Sequence, residues 1–299
     1  MKPLNTIHLI DDEMSPENKA PSVGRLLRDA GKLASADVER VMLLQKTENL
    51  RFGEAAIRLG LISEADLQQV LSRQFDYPNL LPGEGQFDPD LIAVYEPFGL
   101  QAEQLRALRS QLMMRWFSNG HKMLTIAGIN AGDGASYLAA NLAVMFSQLG
   151  ERTLLIDADL RQPRQHVLFN LGNRAGLSEL LAGRVEMSVA NRIPILSTLP
   201  AFPNLAVLTA GAVPPNPAEL LSRTATPTKF KGLAEHYDVI LIDTSAAHGS
   251  ADAAVVAART GAALLVLRQN HTQLAAAAAF QANLASAGAV MLGTVLNQF

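Results

Sequence analysis

The sequence predicts an α/β fold, in which a doubly wound, mostly parallel sheet follows a small all-α helical domain. Three observations support this prediction. From residue 122 onward, apolar runs typical of strands alternate with Ala-rich runs typical of helices. A glycine-rich turn over residues 128–136 follows the first apolar run. Further upstream, residues 22–74 contain an internal repeat with helical character.

Composition limits the class of protein. The chain has 299 residues, of which 48% are hydrophobic and 18% are charged, so two domains and a large core are expected. The net charge of −3 gives no reason to expect nucleic-acid binding, and the lack of cysteine excludes disulfides and thiolate metal sites. No secretory leader and no apolar stretch of about 18 residues is found. We therefore expect a soluble, cytoplasmic protein with no direct membrane insertion.

The first hundred residues divide into three predicted segments. Residues 1–20 are polar and acidic, and we expect a flexible tail there. Residues 21–82 carry the repeat and are expected to form the helical domain. Residues 83–100 have the proline and glycine content of a linker. An amphipathic helix over 101–118 then begins the larger domain, which we expect to extend over 101–299.

The internal repeat has a constant offset of 29 residues, as from Gly24 to Gly53. Each copy predicts a short helix, a turn that contains glycine and a longer amphipathic helix. Ser35 and Ser63 are placed as the N-caps of the two longer helices. Two such helix pairs can pack into a small domain.

The larger domain has six apolar runs that predict strands. They span residues 123–127, 153–157, 205–209, 238–243, 262–267 and 289–296. Continuous apolar runs are typical of parallel strands that helices cover on both faces. In such sheets, ligands bind at the carboxyl ends of the strands. Polar residues at those ends are therefore the candidate site residues.

The glycine-rich turn predicts a phosphate-binding loop. Residues 128–136 read G-I-N-A-G-D-G-A-S, between the first predicted strand and a predicted helix. A strand, a glycine-rich turn and a helix in this order form a P-loop, whose backbone N–H groups and helix dipole attract phosphate. The residues expected to bind ATP or ADP are Gly132, Asp133, Gly134, Ala135, Ser136 and Tyr137. Ala135 stands where the P-loop pattern has lysine.

Acidic residues end two other predicted strands. Asp157 and Asp159 follow one apolar run, and Asp243 follows another. Because Mg²⁺ prefers oxygen ligands, we expect a metal site formed by Ser136, Asp159 and Asp243. Asp157 and Asp159 are the candidate catalytic residues, one as a base and the other in the metal shell. A glycine turn alone can be an ordinary tight turn, and a lone strand-end Asp can be a helix cap. The order and spacing of all three segments favour a nucleotide-binding P-loop domain.

These motifs resemble a known family. The string D-A-D-L-R-x-P, which begins at Asp157, resembles the Walker A′ motif of bacterial tyrosine kinases, and the run that ends in Asp243-Thr244 resembles their Walker B motif. Those proteins are MinD/ParA-like P-loop kinases that control exopolysaccharide chain length and export. The chain is most similar to the EpsG-type chain length determinant tyrosine kinases. This resemblance implies Mg²⁺ and ATP as cofactors and a membrane-bound polysaccharide chain-length determinant as partner.

Two further segments resemble the same family. Glu103, Arg106 and Arg109 are similar to the E-x-x-R-x-x-R helix that packs neighbouring subunits into a ring, which implies a homo-oligomer. The alternative for this helix is a solvated face with i,i+3 ion pairs. Asn297 resembles the strand-end residue that lies near the adenine.

The N-terminal repeat resembles the MshEN domain of type II secretion ATPases, which binds cyclic di-GMP through tandem motifs. Arg51, Gly53, Gly60 and Gln74 match that motif in the second copy, whereas Ser22 replaces the arginine in the first copy. Cyclic di-GMP binding and a plain docking role both remain open for this domain.

The chain departs from the kinase pattern at the P-loop lysine, which Ala135 replaces. Loss of a charge-assisted hydrogen bond of about 1.5–3 kcal/mol weakens ATP binding and phosphoryl transfer. Lys122 begins the strand at the far end from the loop, so it is not expected to substitute. Arg161, or an arginine of a neighbouring subunit, is better placed for this role. Arg161 is therefore a further candidate nucleotide-binding residue.

The tyrosines also depart from the family. The chain has four, at positions 77, 95, 137 and 237, and none lies in a cluster near the C-terminus. Phosphorylation of a tail of this chain is therefore not expected, and phosphorylation of another protein remains open. Three functions compete: a kinase or ATPase, a nucleotide-responsive scaffold with little turnover, and a MinD/ParA-type positioning ATPase. The lack of a MinD-type lysine and of a basic amphipathic tail argues against the third function.

Overall fold

The computed structural model describes residues 22–64, 66–67, 70–71, 80, 86–172, 174–186 and 195–298. The chain divides into two compact units, Met1–Tyr77 and Pro78–Phe299. Each unit has its own hydrophobic core. Within the described residues, no helix combines the length and the apolar character needed to cross a membrane.

The first unit is helical, as the repeat predicts. Its helices include α1 (Val23–Asp29), α2 (Ser35–Glu48) and α3 (Phe52–Arg58). The repeat is visible in the turns, because Gly31 and Gly60 adopt nearly the same left-handed backbone, with φ of 68° and 67°. These are conformations that glycine adopts without strain.

The two predicted N-caps have different outcomes. The Ser63 hydroxyl accepts a hydrogen bond from the Asp66 backbone N–H at 3.1 Å, and Asp66 Oδ2 accepts one from the Ser63 N–H at 3.0 Å. This reciprocal pair is a capping box. The prediction for Ser35 was wrong, because α2 begins at Ser35 and its N-cap is Ala34. Ala34 lies 29 residues before Ser63, as the repeat requires.

The second unit is built on a seven-stranded sheet with the strand order β3-β4-β2-β5-β1-β6-β7. The strands are β1 (Met123–Gly128), β2 (Thr153–Ala158), β3 (Leu196–Leu199), β4 (Phe202–Leu208), β5 (Val239–Thr244), β6 (Ala262–Arg268) and β7 (Val290–Asn297). The six predicted strands are confirmed, and they pair in parallel. Strand β3 was not predicted; it is antiparallel to β4 at the sheet edge. Its four residues read L-S-T-L, which is too short to produce an apolar run.

Helices cover both faces of the sheet. They are α4 (Ile92–Tyr95), α5 (Leu100–Arg115), α6 (Ala135–Gln148), α7 (Gln165–Leu168), α8 (Leu177–Ala182), α9 (Pro217–Ser222), α10 (Thr226–Ala234), α11 (Asp252–Thr260) and α12 (Leu274–Ser286). Successive residues of β2 illustrate the two faces. Leu155 belongs to the core that α6 covers, whereas Leu154 and Ile156 belong to the core under α8, α9 and α10. This alternation confirms the doubly wound architecture.

The predicted linker is corrected by the structure. Residues 86–100 belong to the second unit, and Leu91, Ala93 and Val94 are fully buried in its core. Asn141 of α6 holds this segment: its Oδ1 accepts a hydrogen bond from the Ala93 N–H at 2.9 Å, and its Nδ2 donates to Asp90 O at 3.1 Å. The proline and glycine content of this segment therefore indicated irregular backbone, but it did not indicate that the segment is buried.

Candidate nucleotide-binding site

The glycine-rich turn connects β1 to α6 and is organised by one buried carboxylate. Asp133 Oδ2 accepts hydrogen bonds from the N–H groups of Ile129 and Asn130 at 3.0 and 2.7 Å. Asp133 Oδ1 accepts one from the Thr272 hydroxyl at 2.9 Å and lies 3.2 Å from His271 Nδ1. The carboxylate is fully buried. Asp133, predicted as a nucleotide contact, therefore shapes the loop from within.

Asn297 supports the same loop from the end of β7. Its side-chain amide donates to the Asp133 carbonyl oxygen at 2.8 Å. The Asn297 side chain is therefore adjacent to the loop, and its predicted position near an adenine stays a prediction. The segment after β6 thus holds the turn through Thr272, and the end of β7 holds it through Asn297.

The α6 N-terminus is open toward a ligand. Gly132 and Gly134 have φ of 84° and 95°, so the turn uses the left-handed backbone that glycine permits. Among the described residues, no side chain caps α6. Because the first N–H groups of a helix have no partner inside it, the amides around Ala135 and Ser136 are available to an anion. This is the arrangement that binds phosphate at a helix N-terminus.

A group of buried polar side chains lies behind the loop. Asp157 and Asp243 are register partners in the adjacent strands β2 and β5. Gln165 Nε2 donates to Asp243 Oδ2 at 2.8 Å and to the Ser136 carbonyl oxygen at 3.1 Å. All three of Asp157, Asp243 and Gln165 are fully buried. The side chain of Gln165 therefore connects the P-loop helix to the acidic strand ends.

Burial dominates the electrostatics of this group. It raises the pKa of Asp157 to about 7, with a further increase from the charge of Asp159, while backbone hydrogen bonds act in the opposite direction. Burial also raises the pKa of Asp243 well above its usual value; the charge of Asp157 adds to this shift, whereas hydrogen bonds with Gln165 and Ser136 oppose it. Both carboxyls thus favour the protonated form in the ligand-free protein more than an exposed Asp does.

The two aspartates after β2 have different surroundings. Asp157 Oδ2 accepts hydrogen bonds from the N–H groups of Arg164 and Gln165 at 3.1 and 2.9 Å. Asp159 lines the cavity described below, and its Oδ1 accepts from the N–H groups of Arg161 and Gln162. Asp159 Oδ2 has no hydrogen bond to any described residue. Of the two candidate catalytic carboxylates, the structure therefore places Asp159 on the cavity wall and Asp157 behind it.

Arg161, the predicted substitute for the P-loop lysine, forms an ion pair. Its Nε and Nη2 donate to the two carboxylate oxygens of Asp252 at 2.7 and 3.2 Å. Asp252 is fully buried, whereas the Arg161 side chain is 44% exposed. The guanidinium lines the cavity but is directed to α11 by this pair. Lys122, as predicted, lies at the other end of β1, where its Nζ donates to the Ala234 carbonyl oxygen at 2.8 Å.

A cavity of about 500 Å³ lies above these groups. Its walls come from the P-loop, from the segment after β2 and from the segment after β5. The lining residues that carry the later arguments are Ala135, Ser136, Asp159, Arg161, Arg164 and His248. Arg164 and Gln165 were not predicted as site residues, because no strand end or known spacing marks them. Their positions follow only from the turn that the Asp157 carboxylate stabilises.

The residues present fit a magnesium–triphosphate ligand. Asp243 Oδ1 is buried and lacks a hydrogen-bond partner, as does Gln165 Oε1. Buried acceptors of this kind are normally satisfied, so a water or hydrated cation is the missing partner. Within the described chain, no three His, Asp or Glu side chains cluster as a metal site. The predicted oxygen ligands Ser136, Asp159 and Asp243 stay a prediction, and together with ligand phosphates and waters they would suit Mg²⁺.

The helix with the predicted oligomer contacts, α5, makes contacts inside its own subunit. Arg106 pairs with Glu103, and its Nη2 also donates to the Pro97 carbonyl oxygen. Arg109 donates to the Met145 carbonyl oxygen at 3.0 Å. The i,i+3 ion pair that was the alternative for this motif is thus present. An interface through these residues stays a prediction.

The predicted cyclic di-GMP residues lie in the first unit. Gly53 packs closely against Leu67, because a Cβ at position 53 would approach the leucine side chain to 2.6 Å. Gly60 occupies a left-handed turn. Packing and turn geometry thus account for both glycines. Arg51 is exposed and Gln74 lies outside the described residues, so cyclic di-GMP binding stays a prediction.

The fold and the site define a P-loop nucleotide-binding protein. A family model described as cellulose biosynthesis protein BcsQ matches residues 121–284. The tyrosine-protein kinase YwqD of Bacillus subtilis is 35% identical over 208 residues, which cover 70% of this chain and 85% of YwqD. The solved kinase domain of the Escherichia coli tyrosine kinase ETK aligns with a TM-score of 0.64 and 33% identity, over 70% of this chain and 79% of that chain. This chain therefore belongs to the family of bacterial tyrosine-protein kinases.

The chain is also similar, more distantly, to a protein that was solved with a bound nucleotide. The septum site-determining protein MinD of Pyrococcus horikoshii, solved in complex with Mg-ADP, aligns with a TM-score of 0.51 and 25% identity. The match covers 59% of this chain and 70% of that one. This confirms the MinD/ParA-like class of P-loop fold that the sequence resemblance implied.

Proposed function

We propose that the chain binds Mg-ATP and transfers the terminal phosphoryl group to a tyrosine of another polypeptide. The observation that carries this proposal is the convergence of the α6 N-terminus, Ser136 and Asp159 around one cavity, with Asp243 buried directly behind Ser136. Membership of the tyrosine-kinase family supports the reaction. The Mg-ADP complex of MinD supports the nucleotide and the metal.

Each group has a distinct role in this proposal. The amides around Ala135 would hold phosphate oxygens, while Ser136 and Asp243 would hold the metal. Mg²⁺, when bound, supplies positive charge to the transferred group. Asp159, whose Oδ2 has no hydrogen bond to a described residue, accepts the proton of the attacking phenol. The phenolic oxygen bonds to the γ-phosphorus as the bond from that phosphorus to the bridging oxygen breaks, and ADP leaves with the electron pair.

Asp157 has a positioning role in the same scheme. Its carboxylate accepts hydrogen bonds from three backbone N–H groups, those of Asp159, Arg164 and Gln165. These bonds hold the segment that presents Asp159 to the cavity. Substitution of Asp157 would therefore misplace the proton acceptor without removing it.

The pathway that we infer is polysaccharide assembly. The cellulose-biosynthesis description of the matching family model supports this inference. The proposed partner is a membrane-bound chain-length determinant, which would recruit the cytoplasmic chain to the inner face of the membrane. We also propose a homo-oligomer that contacts its neighbours through the helix with Glu103, Arg106 and Arg109.

The second candidate is a nucleotide-responsive scaffold without turnover. One observation favours it: Ala135 removes the cation that neutralises the phosphates during transfer. In this case the cavity would bind Mg-ATP, and occupancy would control assembly on the membrane partner.

The two candidates are separated by binding and turnover in one experiment. Calorimetry with Mg-ATP would be combined with detection of phosphotyrosine on a glutamate–tyrosine copolymer. We expect binding and Mg-dependent phosphotyrosine in the wild type, and binding without phosphotyrosine in Asp159→Asn. The control Arg174→Ala, at an exposed residue of a different cavity, should keep both. Binding without phosphotyrosine in the wild type would favour the scaffold. No binding of Mg-ATP would refute both candidates.

A further inference from the structure

The P-loop of this chain lacks its own cation. Ala135 lines the cavity at the position where a lysine would extend toward the phosphates. A nucleoside triphosphate carries several negative charges, and oxygen-rich metal ligands add more. Another positive group at the cavity is therefore required for tight binding of the terminal phosphate.

Three basic side chains line the described walls of the cavity, those of Arg161, Arg164 and His248. Arg161 donates two hydrogen bonds to the buried Asp252, and leaving that carboxylate unpaired would be costly. His248 has an imidazole, which is not a permanent cation. Arg164 is a permanent cation, and its side chain makes no hydrogen bond or ion pair with any described residue.

The backbone of Arg164 is held at the phosphate end of the cavity. Its N–H donates to Asp157 Oδ2 at 3.1 Å, and any residue at this position except proline would keep that bond. The next residue, Gln165, contacts both Asp243 and the Ser136 carbonyl oxygen through its side chain. Arg164 is therefore fixed beside the groups that would hold the metal, whereas its side chain remains exposed.

We propose that the Arg164 guanidinium binds the terminal phosphate of the nucleotide and replaces the missing P-loop lysine. This inference rests on the proposed function, because it assigns a residue to the same cavity. The guanidinium approaches from the β2 side of the sheet, two strands from β1, and not from within the loop. Its planar donors match phosphate oxygens in a bidentate manner, which an ammonium group does not do.

The test compares ATP and ADP affinities in the full chain by calorimetry with Mg²⁺. We expect Arg164→Ala to weaken Mg-ATP binding by roughly 10-fold or more, as for the loss of a charge-assisted hydrogen bond. ADP, which lacks the terminal phosphate, should lose much less affinity. Arg164→Lys should be intermediate. Ala135→Lys in the Arg164→Ala background should recover ATP binding, because it restores the cation from the opposite wall.

The matched control is Arg174→Ala, since Arg174 is exposed and lines a different cavity. It should leave both affinities unchanged, and thermal unfolding of each variant checks that the fold is retained. Wild-type affinity for Mg-ATP in Arg164→Ala would overturn the inference while leaving the proposed function intact. Equal losses for ATP and ADP would also overturn it. Failure of the wild type to bind Mg-ATP would refute the proposed function and the inference together.

Discussion

Asp157 and Asp243 are register partners in neighbouring parallel strands, and both carboxyls are fully buried. Beyond the effect of burial, the charge of Asp157 raises the pKa of Asp243, and the charge of Asp159 raises the pKa of Asp157. The ligand-free site therefore stores unfavourable electrostatic energy, which a bound cation would relieve. This relationship leads to two predictions about stability and pH.

The first prediction concerns Asp243→Asn in the ligand-free protein. The pKa of Asp243 is raised on folding, so the carboxyl stabilises the fold only while it is protonated, and this contribution is lost as the pH rises above its unfolded value of about 3.9. The variant should thus unfold at a higher temperature than the wild type at pH 8. The difference should disappear near pH 4. Thermal unfolding followed by circular dichroism measures it.

The control for this prediction is Asp238→Asn, which should change the unfolding temperature at pH 8 in the opposite direction. Arg152 lowers the pKa of Asp238 through a side-chain hydrogen bond. That carboxylate therefore stabilises the fold above its unfolded pKa, and its loss should lower the unfolding temperature at pH 8. If both variants shifted in the same direction, the burial argument for Asp243 would fail.

The second prediction concerns the glutamine between the loop and the strands. Gln165→Glu would place a third carboxyl beside Asp157 and Asp243 in a buried site. We expect a strong loss of stability at pH 8 and partial recovery at pH 5, where the carboxyls become protonated. Gln162→Glu is the matched control, because Gln162 is exposed on the same segment. Equal effects of the two variants in denaturant unfolding would contradict the role assigned to Gln165.

The third prediction compares two bidentate Arg–Asp pairs. Arg161→Ala leaves the fully buried Asp252 without its charged partner, which should cost about 2 kcal/mol of unfolding free energy. Arg152→Ala exposes Asp238, whose side chain is already 35% exposed, so its effect should be small. Urea unfolding measures both. The double variant Arg161→Ala/Asp252→Ala should recover part of the loss, because it removes the unpaired charge.

The fourth prediction concerns the carboxylate that shapes the P-loop. Asp133→Ala removes the acceptor for the N–H groups of Ile129 and Asn130 and for the Thr272 hydroxyl. We expect a loss of about 2–4 kcal/mol in stability and weaker Mg-ATP binding, because buried donors become unsatisfied. Asp133→Asn keeps one acceptor oxygen and should lose less. A variant with wild-type stability would show that the loop does not depend on this carboxylate.

Short-range patterns predicted much of the fold. The six apolar runs became six parallel strands. Strands β2 and β5 are apolar along most of their length because they are buried on both faces, whereas β7 lies at the sheet edge and is partly exposed. The edge strand β3 was missed because half of its four residues are polar. Residues 86–100 were interpreted as a linker because their composition does not show that Asn141, some 50 residues away, fixes them to the core.

The sequence by itself determined the class of fold, the P-loop and the aspartates at the ends of β2 and β5, because these features are encoded by neighbouring residues. Only the tertiary structure decided which side chains face the cavity. Both Arg161 and Arg164 line the cavity, but the fold paired Arg161 with Asp252, 91 positions along the chain, and left the Arg164 side chain without a described partner. The physical reason is that a side chain's direction depends on partners brought close by packing, and local spacing does not specify those partners.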